Sequence, residues 1–254
     1  MADDPLKVWN ERDGALLRLR LARPKANLID ARMIAALYAA LDEPRADRRG
    51  VLIDHEGPHF SYGSSVEEHL PERCAEMLKA LHGLVLKMIE YPAPILVAVD
   101  GRCLGGALEV AMAGNLIFAS PKAMLGQPEI KLAVFAPAAS CILAERIGQA
   151  RAEDLLLSGR GISGAEALGM GLVNAVADDP AAAALAYFDD HLDALSASSL
   201  GFALHAARLG FAARVRAKLA QVEELYLKDL MATHDALEGL EAFIEKRPAK
   251  WKHR

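Results

Sequence analysis

The segment from Pro94 to Glu109 constrains the fold of this chain more than any other. It begins with Ile95–Val99, a continuous apolar run of strand length, which predicts a strand buried on both faces. Gly105 and Gly106 follow and predict a sharp turn into a helix. A buried strand, a glycine turn and a helix in this order are typical of an α/β core.

The rest of the chain alternates in the same way and then changes character. Residues 8–22 alternate as in a β-hairpin, and residues 71–90 carry the apolar stripe of a helix. From residue 179 onward the pattern is helical. With 254 residues, the chain is long enough for one large domain with an appendage. We predict an α/β core at 1–195 and a C-terminal helical region at 196–254.

Composition and charge exclude several classes of function. The net charge of −5 and the pI near 5.9 disfavour a nucleic-acid partner, including RNA. The first residues lack the pattern of a signal peptide, and the longest apolar run, 103–119, is interrupted by Glu109 and Asn115. The three cysteines are few and lack paired spacing, which is typical of reduced thiols. We therefore expect a cytoplasmic protein without a membrane partner.

The histidines predict no metal site. Eight are scattered along the chain, and none forms a pair with ligand spacing. His55, His59 and His69 are the nearest to a cluster, but their spacing is irregular and no cysteine accompanies them. We expect no metal ion and no cofactor.

The glycine turn and the acid that follows it suggest an anion-stabilising site. The first N–H groups of a helix have no internal partner, so Gly106 is a candidate donor to an oxyanion. Glu109 lies one helical turn further on the same side, within an apolar run that predicts burial and a raised pKa. Two structural alternatives stay open: glycines that serve only tight packing, and a glutamate that is paired with an arginine.

A second acid and a second loop extend this hypothesis. Glu129 follows Gly126-Gln-Pro128 and has apolar neighbours, as a second half-buried acid would; it could equally be an ordinary first-turn glutamate. The loop Phe60-Ser-Tyr-Gly-Ser-Ser-Val-Glu-Glu68 is the candidate for a second oxyanion donor, with an ordinary surface loop as the alternative. Two acids beside a helix N-terminus are what proton transfer next to an enolate requires.

Taken together, these motifs resemble the crotonase family, also called the enoyl-CoA hydratase/isomerase family. The likeness covers nearly the whole chain and rests on the order and spacing of several segments. These are Leu104-Gly-Gly106, Glu109-Val-Ala-Met, Leu125-Gly-Gln-Pro-Glu129, Ser163-Gly-Ala-Glu-Ala, Gly171-Leu-Val and Glu238-Gly-Leu-Glu-Ala-Phe-Ile-Glu-Lys-Arg-Pro248. The resemblance implies an α/β spiral of ββα units, with a C-terminal helical region that assembles trimers, commonly paired into hexamers.

The resemblance also implies roles for particular residues. Ser64 and Gly106 match the backbone donors of the oxyanion hole, and Glu109 and Glu129 match the two glutamates of the hydratases. The acyl-CoA thioester is then the substrate, so coenzyme A arrives as part of it. The resemblance also implies that Lys25 and Ala26 lie near the CoA adenine. We expect Tyr62, Val66 and Phe135 to be walls of the acyl pocket, with ordinary core packing as the alternative, and Ser65 to belong to the substrate-binding residues.

Two departures from the family pattern bear on the choice of substrate. Asn115 stands where an aspartate is usual, and Ala133-Val-Phe-Ala-Pro-Ala-Ala-Ser140 replaces a glycine-rich turn beside the acyl pocket. A combination of three segments is similar to hydratases that act on a cyclic dienoyl-CoA in anaerobic benzoyl-CoA breakdown. They are His59-Phe-Ser-Tyr-Gly-Ser-Ser-Val-Glu-Glu-His-Leu-Pro71, Lys131-Leu-Ala-Val-Phe-Ala-Pro-Ala-Ala-Ser-Cys141 and Leu230-Met-Ala-Thr-His-Asp235. Two alternatives remain: a hydratase or isomerase of linear acyl-CoA, and a non-catalytic CoA-ester-binding scaffold.

Overall fold

The main sheet has six strands, and most of them are parallel. The computed structural model describes residues 4–23, 25–42 and 45–254. The order across this sheet is β1-β2-β3-β4-β6-β9. Its strands are β1 (Leu6–Glu11), β2 (Leu16–Leu21), β3 (Gly50–His55), β4 (Ile95–Val99), β6 (Leu116–Ala119) and β9 (Ala175–Val176).

The sheet confirms the predicted hairpin and the predicted buried strand. β1 and β2 pair antiparallel, with Leu6 opposite Leu21, whereas every later neighbour pairs in parallel. All of β4 is buried, as expected for a strand that is covered on both faces. Because parallel strands end at the same edge of a sheet, β3 and β4 deliver the chain to one edge.

A second, smaller sheet lies at that edge. It consists of β5 (Arg102–Leu104), β7 (Met124–Gly126) and β8 (Gly161–Ser163), in the order β5-β7-β8. The chain passes from β4 through β5 into helix α3 (Gly106–Ala113), and then from β6 into β7. One strand in each sheet followed by a helix is the predicted ββα unit.

Helices cover both faces of the main sheet. On one face a continuous core joins the sheet to α1 (Ala31–Ala40), α2 (Pro71–Ile89), α3 and α4 (Pro137–Ile147). On the other face, α7 (Pro180–His191) packs Ala184 and Phe188 against the sheet. Two further helices, α5 (Gln149–Ser158) and α6 (Gly164–Met170), flank β8.

The last part of the chain is helical, as predicted. α8 (Ala197–Glu224) packs against α2 and α4, and α9 (His234–Ile244) packs against the turn that carries Glu129. A π-helical turn, Leu225–Asp229, continues α8 towards α9. No helix within the described ranges has the length and apolar character that crossing a bilayer requires.

Asn115, which departs from the family pattern in the sequence, has a structural role. Asn115 follows α3, and its side-chain oxygen accepts a hydrogen bond from the Ile95 N–H at 2.8 Å. Its own N–H donates to the Ile95 carbonyl at 2.7 Å. Asn115 therefore fastens the start of β4 to β6, at the end of α3 far from Gly106.

Candidate active site

The site forms where β5 turns into α3. Gly105 precedes the helix with φ of 54° and ψ of −131°, a conformation that favours glycine. A side chain here would also collide with Glu129, since a Cβ on Gly105 would lie 2.6 Å from its Oε1. The turn therefore needs glycine both for its backbone angle and for the close approach of a carboxyl group.

The Ser64 loop lies directly against the first residue of α3. A Cβ on Gly106 would lie 2.1 Å from Ser64 Oγ and 3.5 Å from the Ser64 backbone nitrogen. Gly63, with φ of 103°, allows this approach, because its own Cβ would lie 2.7 Å from the Leu104 carbonyl oxygen. The structure thus brings together the two backbone segments that the sequence proposed as oxyanion donors.

The N–H groups of these two residues have no acceptor in the described part of the protein. Across the described ranges, neither the Ser64 N–H nor the Gly106 N–H donates a hydrogen bond to another residue. The Ser64 hydroxyl is also buried without a partner. Buried donors that lack partners are rare and costly. The N–H of the buried Gly106 and that of the half-buried Ser64 lie side by side and form a receptor for an oxygen atom with negative charge.

Glu109 enters the site from the first turn of α3. It is 2 % exposed, and its Oε1 accepts a hydrogen bond from the Ala139 N–H at 2.8 Å. The arginine partner offered as an alternative is absent: among the described residues, Glu109 forms no ion pair. Burial raises the pKa of Glu109 to about 7, although the N–H groups of Ala139 and Ala138 oppose the shift.

Glu129 reaches the same place from a separate segment. It lies in the first turn of the short 3-10 helix Pro128–Leu132, so the local expectation of a first-turn glutamate is also met. Its carboxyl group packs on Gly105, and the residue as a whole is half-buried. Burial, followed by the negative charge of Glu109, raises the pKa of Glu129 to about 8.

The two carboxyl groups therefore favour different protonation states near neutral pH. The charge of ionised Glu109 favours the protonated form of Glu129, so the pair holds about one proton between pH 7 and 8. Acids whose environments separate their pKa values can serve as a base and an acid in one reaction.

A buried amide beside Glu129 escaped the sequence interpretation. Gln127 is 1 % exposed, and with its amide nitrogen turned towards Glu129 it lies 3.1 Å from both carboxyl oxygens. Its position two residues before an acid, in a buried turn, was the available signal. The Ala139 N–H, which holds Glu109, belongs to a distant helix start and gave no signal in the sequence.

The other residues implied in substrate binding lie around the Ser64 loop at different depths. Lys25 is exposed, and the carbonyl of Ala26 accepts a hydrogen bond from the Tyr62 N–H at 3.0 Å, which joins their two loops. Tyr62 is 42 % exposed and its ring points towards His59 and Arg102 rather than into the core.

The other three residues predicted to bind substrate take positions suited to the wall or the rim of an acyl pocket. Val66 and Phe135 are partly buried against the main core, and the Ser65 hydroxyl donates a hydrogen bond to Glu67. Phe135 follows the turn that carries Glu129, so it is the member of this group nearest in sequence to one of the two site glutamates.

The histidine cluster does not form a metal site. His55 and His59 each accept a hydrogen bond from a backbone N–H of the turn at 100–102, and His69 contacts the Ser65 carbonyl. No grouping of three histidine, cysteine or acidic side chains suited to a metal ion occurs in the ranges that the structure covers.

A large surface cleft lies elsewhere on the molecule. It has a volume of about 1040 Å³ and runs between Ile89–Ala93 and the first half of α8, where Phe202 and Leu209 are exposed. Neither glutamate and neither oxyanion donor lines it. Its apolar rim is therefore a separate feature from the catalytic geometry.

Comparisons with known proteins agree with this geometry. The family model described as enoyl-CoA hydratase/isomerase matches residues 11–254. Over 255 aligned residues the chain is 63 % identical to the cyclohexa-1,5-dienecarbonyl-CoA hydratase of Thauera aromatica, covering 100 % of this chain and 99 % of that protein. It is 32 % identical to a probable enoyl-CoA hydratase of Bacillus subtilis, covering 92 % and 94 % of the two chains.

Solved structures show the same fold. A putative enoyl-CoA hydratase from Mycobacterium avium paratuberculosis superposes with a TM-score of 0.87 at 21 % identity, covering 97 % of this chain and 99 % of that one. An enoyl-CoA hydratase/isomerase from Pseudoalteromonas atlantica superposes with a TM-score of 0.83 at 27 % identity, covering 97 % and 99 %. The predicted fold class is confirmed.

Proposed function

The chain belongs to the enoyl-CoA hydratase/isomerase family, and we propose that it is a hydro-lyase that adds water reversibly to cyclohexa-1,5-diene-1-carbonyl-CoA. The product is 6-hydroxycyclohex-1-ene-1-carbonyl-CoA. The identity of 63 % over the whole chain with the Thauera hydratase supports the cyclic substrate. The single observation that carries the chemistry is the pair of unpartnered N–H groups, at Ser64 and Gly106, beside two carboxyl groups.

We propose that the thioester oxygen binds between these two N–H groups. Water then adds to the ring carbon β to the carbonyl, and the electron pair of the double bond moves onto the thioester as a dienolate. The N–H groups stabilise this charge where it develops. The charge extends through the second double bond, and a proton adds at its far end. The sum is one molecule of water, with no oxidant or reductant.

The two glutamates divide the proton transfers. Glu109, with the lower pKa, is the base that takes a proton from water; Glu129, which keeps its proton to a higher pH, is the acid. In the reverse direction the roles exchange. Gln127 orients the Glu129 carboxyl group from behind.

We propose that the remaining residues bind the substrate around this centre. Lys25 and Ala26 meet the CoA nucleotide at the rim, because their loop is joined to the Tyr62 backbone. The acyl ring lies against Phe135 and Val66, which are apolar and partly buried, and Tyr62 and Ser65 flank the entrance.

We also propose a homotrimer, paired into a hexamer, in the cytoplasm. Exposed apolar side chains concentrate in the helical region 196–254, which we treat as an assembly region appended to the core at 1–195; they are Phe202, Leu209, Leu225, Phe243, Ile244 and Trp251. Such a concentration supports burial against other subunits. Light scattering of the purified protein tests the stoichiometry. The free cysteines suit a reducing compartment.

Turnover with isotopic water tests the reaction. The purified protein is incubated in D₂O with the cyclic dienoyl-CoA and, in parallel, with crotonyl-CoA. We expect faster turnover of the cyclic substrate, with deuterium at the carbon directly across the ring from the new hydroxyl. Deuterium on a carbon adjacent to the hydroxyl would exclude protonation at the far end of the dienolate. A preference for crotonyl-CoA would favour the linear alternative.

A further inference from the structure

A buried tyrosine from the helical region carries a hydroxyl that lacks a hydrogen-bond partner among the described residues. Tyr226 lies in the π-helical turn after α8, and its side chain is fully buried. A buried hydroxyl without a partner destabilises a protein and needs an explanation.

The surroundings of Tyr226 connect it to the reacting groups. Its ring meets Phe135 edge to face, with 5.1 Å between ring centroids. Burial, then the charges of Cys74, Glu129 and Glu109, raises its pKa, so the phenol keeps its proton at neutral pH. The phenol can donate one hydrogen bond, and its ring lies against Phe135, which is predicted to line the acyl pocket.

The proposed substrate offers few acceptors for a hydrogen bond from the Tyr226 hydroxyl. Apart from its thioester, a cyclic dienoyl group contains only carbon and hydrogen, so its ring offers no acceptor. The thioester oxygen is already bound by the Ser64 and Gly106 N–H groups. The oxygen atom that enters as water, and becomes the hydroxyl of the product, is therefore the remaining polar atom that the reaction places near the carboxyl groups.

We propose that the Tyr226 hydroxyl donates a hydrogen bond to this oxygen atom, and so acts as a third catalytic side chain. In hydration it would hold the water in line with the ring carbon while Glu109 removes a proton. In dehydration it would stabilise the departing oxygen. This inference rests on the proposed function.

The test is Tyr226→Phe, with Tyr91→Phe as the matched control. Tyr91 is also buried, with a hydroxyl that lacks a hydrogen-bond partner in the described ranges. It precedes β4, at the opposite end of that strand from the Ser64 loop, and lies near Arg48. Each substitution removes one oxygen atom and keeps the ring.

We expect Tyr226→Phe to lower kcat about tenfold with little change in KM, as for the loss of one hydrogen bond to the reacting oxygen. Its melting temperature without substrate should be equal to or above that of the wild type, because an unsatisfied hydroxyl is removed. Tyr91→Phe should keep the wild-type kcat. An unchanged kcat for Tyr226→Phe, or a loss of kcat that accompanies a lower melting temperature, would overturn the proposal.

Binding measurements isolate the oxygen atom itself. Calorimetry compares the hydroxylated product with cyclohex-1-ene-1-carbonyl-CoA, which lacks the hydroxyl. Tyr226→Phe should weaken binding of the first about tenfold and leave the second unchanged. An equal loss of affinity for both ligands would show that Tyr226 only packs against the ligand and does not bind the oxygen atom. Wild-type protein that fails to turn over the cyclic substrate refutes the proposed function instead, and the kcat comparison then uses the enoyl-CoA that it does turn over.

Discussion

Replacement of Glu109 by Gln tests both the chemistry and the electrostatics of the site. Glutamine keeps the shape of the side chain, and its oxygen can still accept the hydrogen bond from the Ala139 N–H. The variant should therefore fold and bind acyl-CoA. It cannot take a proton from water, so we expect kcat to fall by about 10² to 10⁴, the usual contribution of a positioned base.

The same variant should be more stable than the wild type at neutral pH. Burial raises the pKa of Glu109 from 4.5 to about 7, which corresponds to about 3 kcal/mol at 1.36 kcal/mol for each pKa unit. Below pH 4.5 the carboxyl group is protonated in both the folded and unfolded states. Between pH 4.5 and about 7 the unfolded state releases its proton first, so the wild-type protein loses stability as the pH rises.

Urea denaturation at several pH values measures this difference. The free energy of unfolding of Glu109→Gln should gain about 3 kcal/mol on the wild type between pH 4.5 and 7 and level off above pH 7. The relief of repulsion on Glu129 acts in the same direction. Glu153→Gln, an exposed glutamate on α5, is the control and should show no such trend. A difference that does not vary with pH would refute the buried, proton-holding carboxyl group, and near-wild-type kcat would remove it from catalysis.

Three further predictions follow from the site and its supports. The pH profile of kcat/KM should be bell-shaped, because Glu109 must be ionised and Glu129 protonated, with the rising limb near pH 7 and the falling limb near pH 8. A flat profile from pH 6 to 9 would contradict this assignment of base and acid. Gly106→Ala should lower kcat by a factor of about 10² to 10³, because the new Cβ would lie 2.1 Å from Ser64 Oγ and displace the donor. Ser64→Ala keeps the backbone N–H, so its kcat should stay near that of the wild type. Equal kcat values in the two variants would contradict the oxyanion assignment. Arg208→Met should lower the free energy of unfolding by about 2 to 3 kcal/mol in urea, because the buried Ile89 and Ala113 carbonyl groups lose this donor and the Gly114 carbonyl keeps only Arg146. Arg216→Met removes only an exposed ion pair and should cost under about 1 kcal/mol.

The sequence predicted those elements whose signal is local and regular. The apolar run of β4 and the stripe of α2 each carry a repeated pattern over many residues, and both elements occur as expected. The strands of the second sheet did not emerge from the sequence. β5, β7 and β8 have three residues each, which is too short for a period, and they are defined only by pairing with one another.

The residues of the candidate site were likewise predictable from the sequence only where their relation is local. Gly106 and Glu109 were predictable as a pair because one helical turn connects them. Their meeting with Ser64 and Glu129 depends on how three separate segments cross, which no spacing in the sequence encodes without the family resemblance. Tyr226 gave no signal, because Leu225–Asp229 reads as an ordinary helical stretch. Only its depth in the core and the absence of a partner for its hydroxyl, among the described residues, distinguish it.

The two ends of α3 explain why this fold can hold a charged intermediate. All eight residues of the helix are buried, so water cannot satisfy the peptide groups that remain free at either end. At the C-terminal end, Arg146 and Arg208 donate to the last carbonyl groups. Burial lowers the pKa of each arginine only to about 10, so both remain cations beside the negative end of the helix dipole.

At the N-terminal end of α3, in contrast, the free peptide groups are left without partners among the described residues. No side chain caps it, and Gly105 and Gly106 leave its first donors without an acceptor in the described part of the chain. Because the arginines and the surrounding core stabilise the rest of the helix, these donors can stay unpaired until an oxygen atom with negative charge arrives. The dienolate then receives hydrogen bonds that were positioned before the reaction, and the protein need not reorganise at the moment when charge develops.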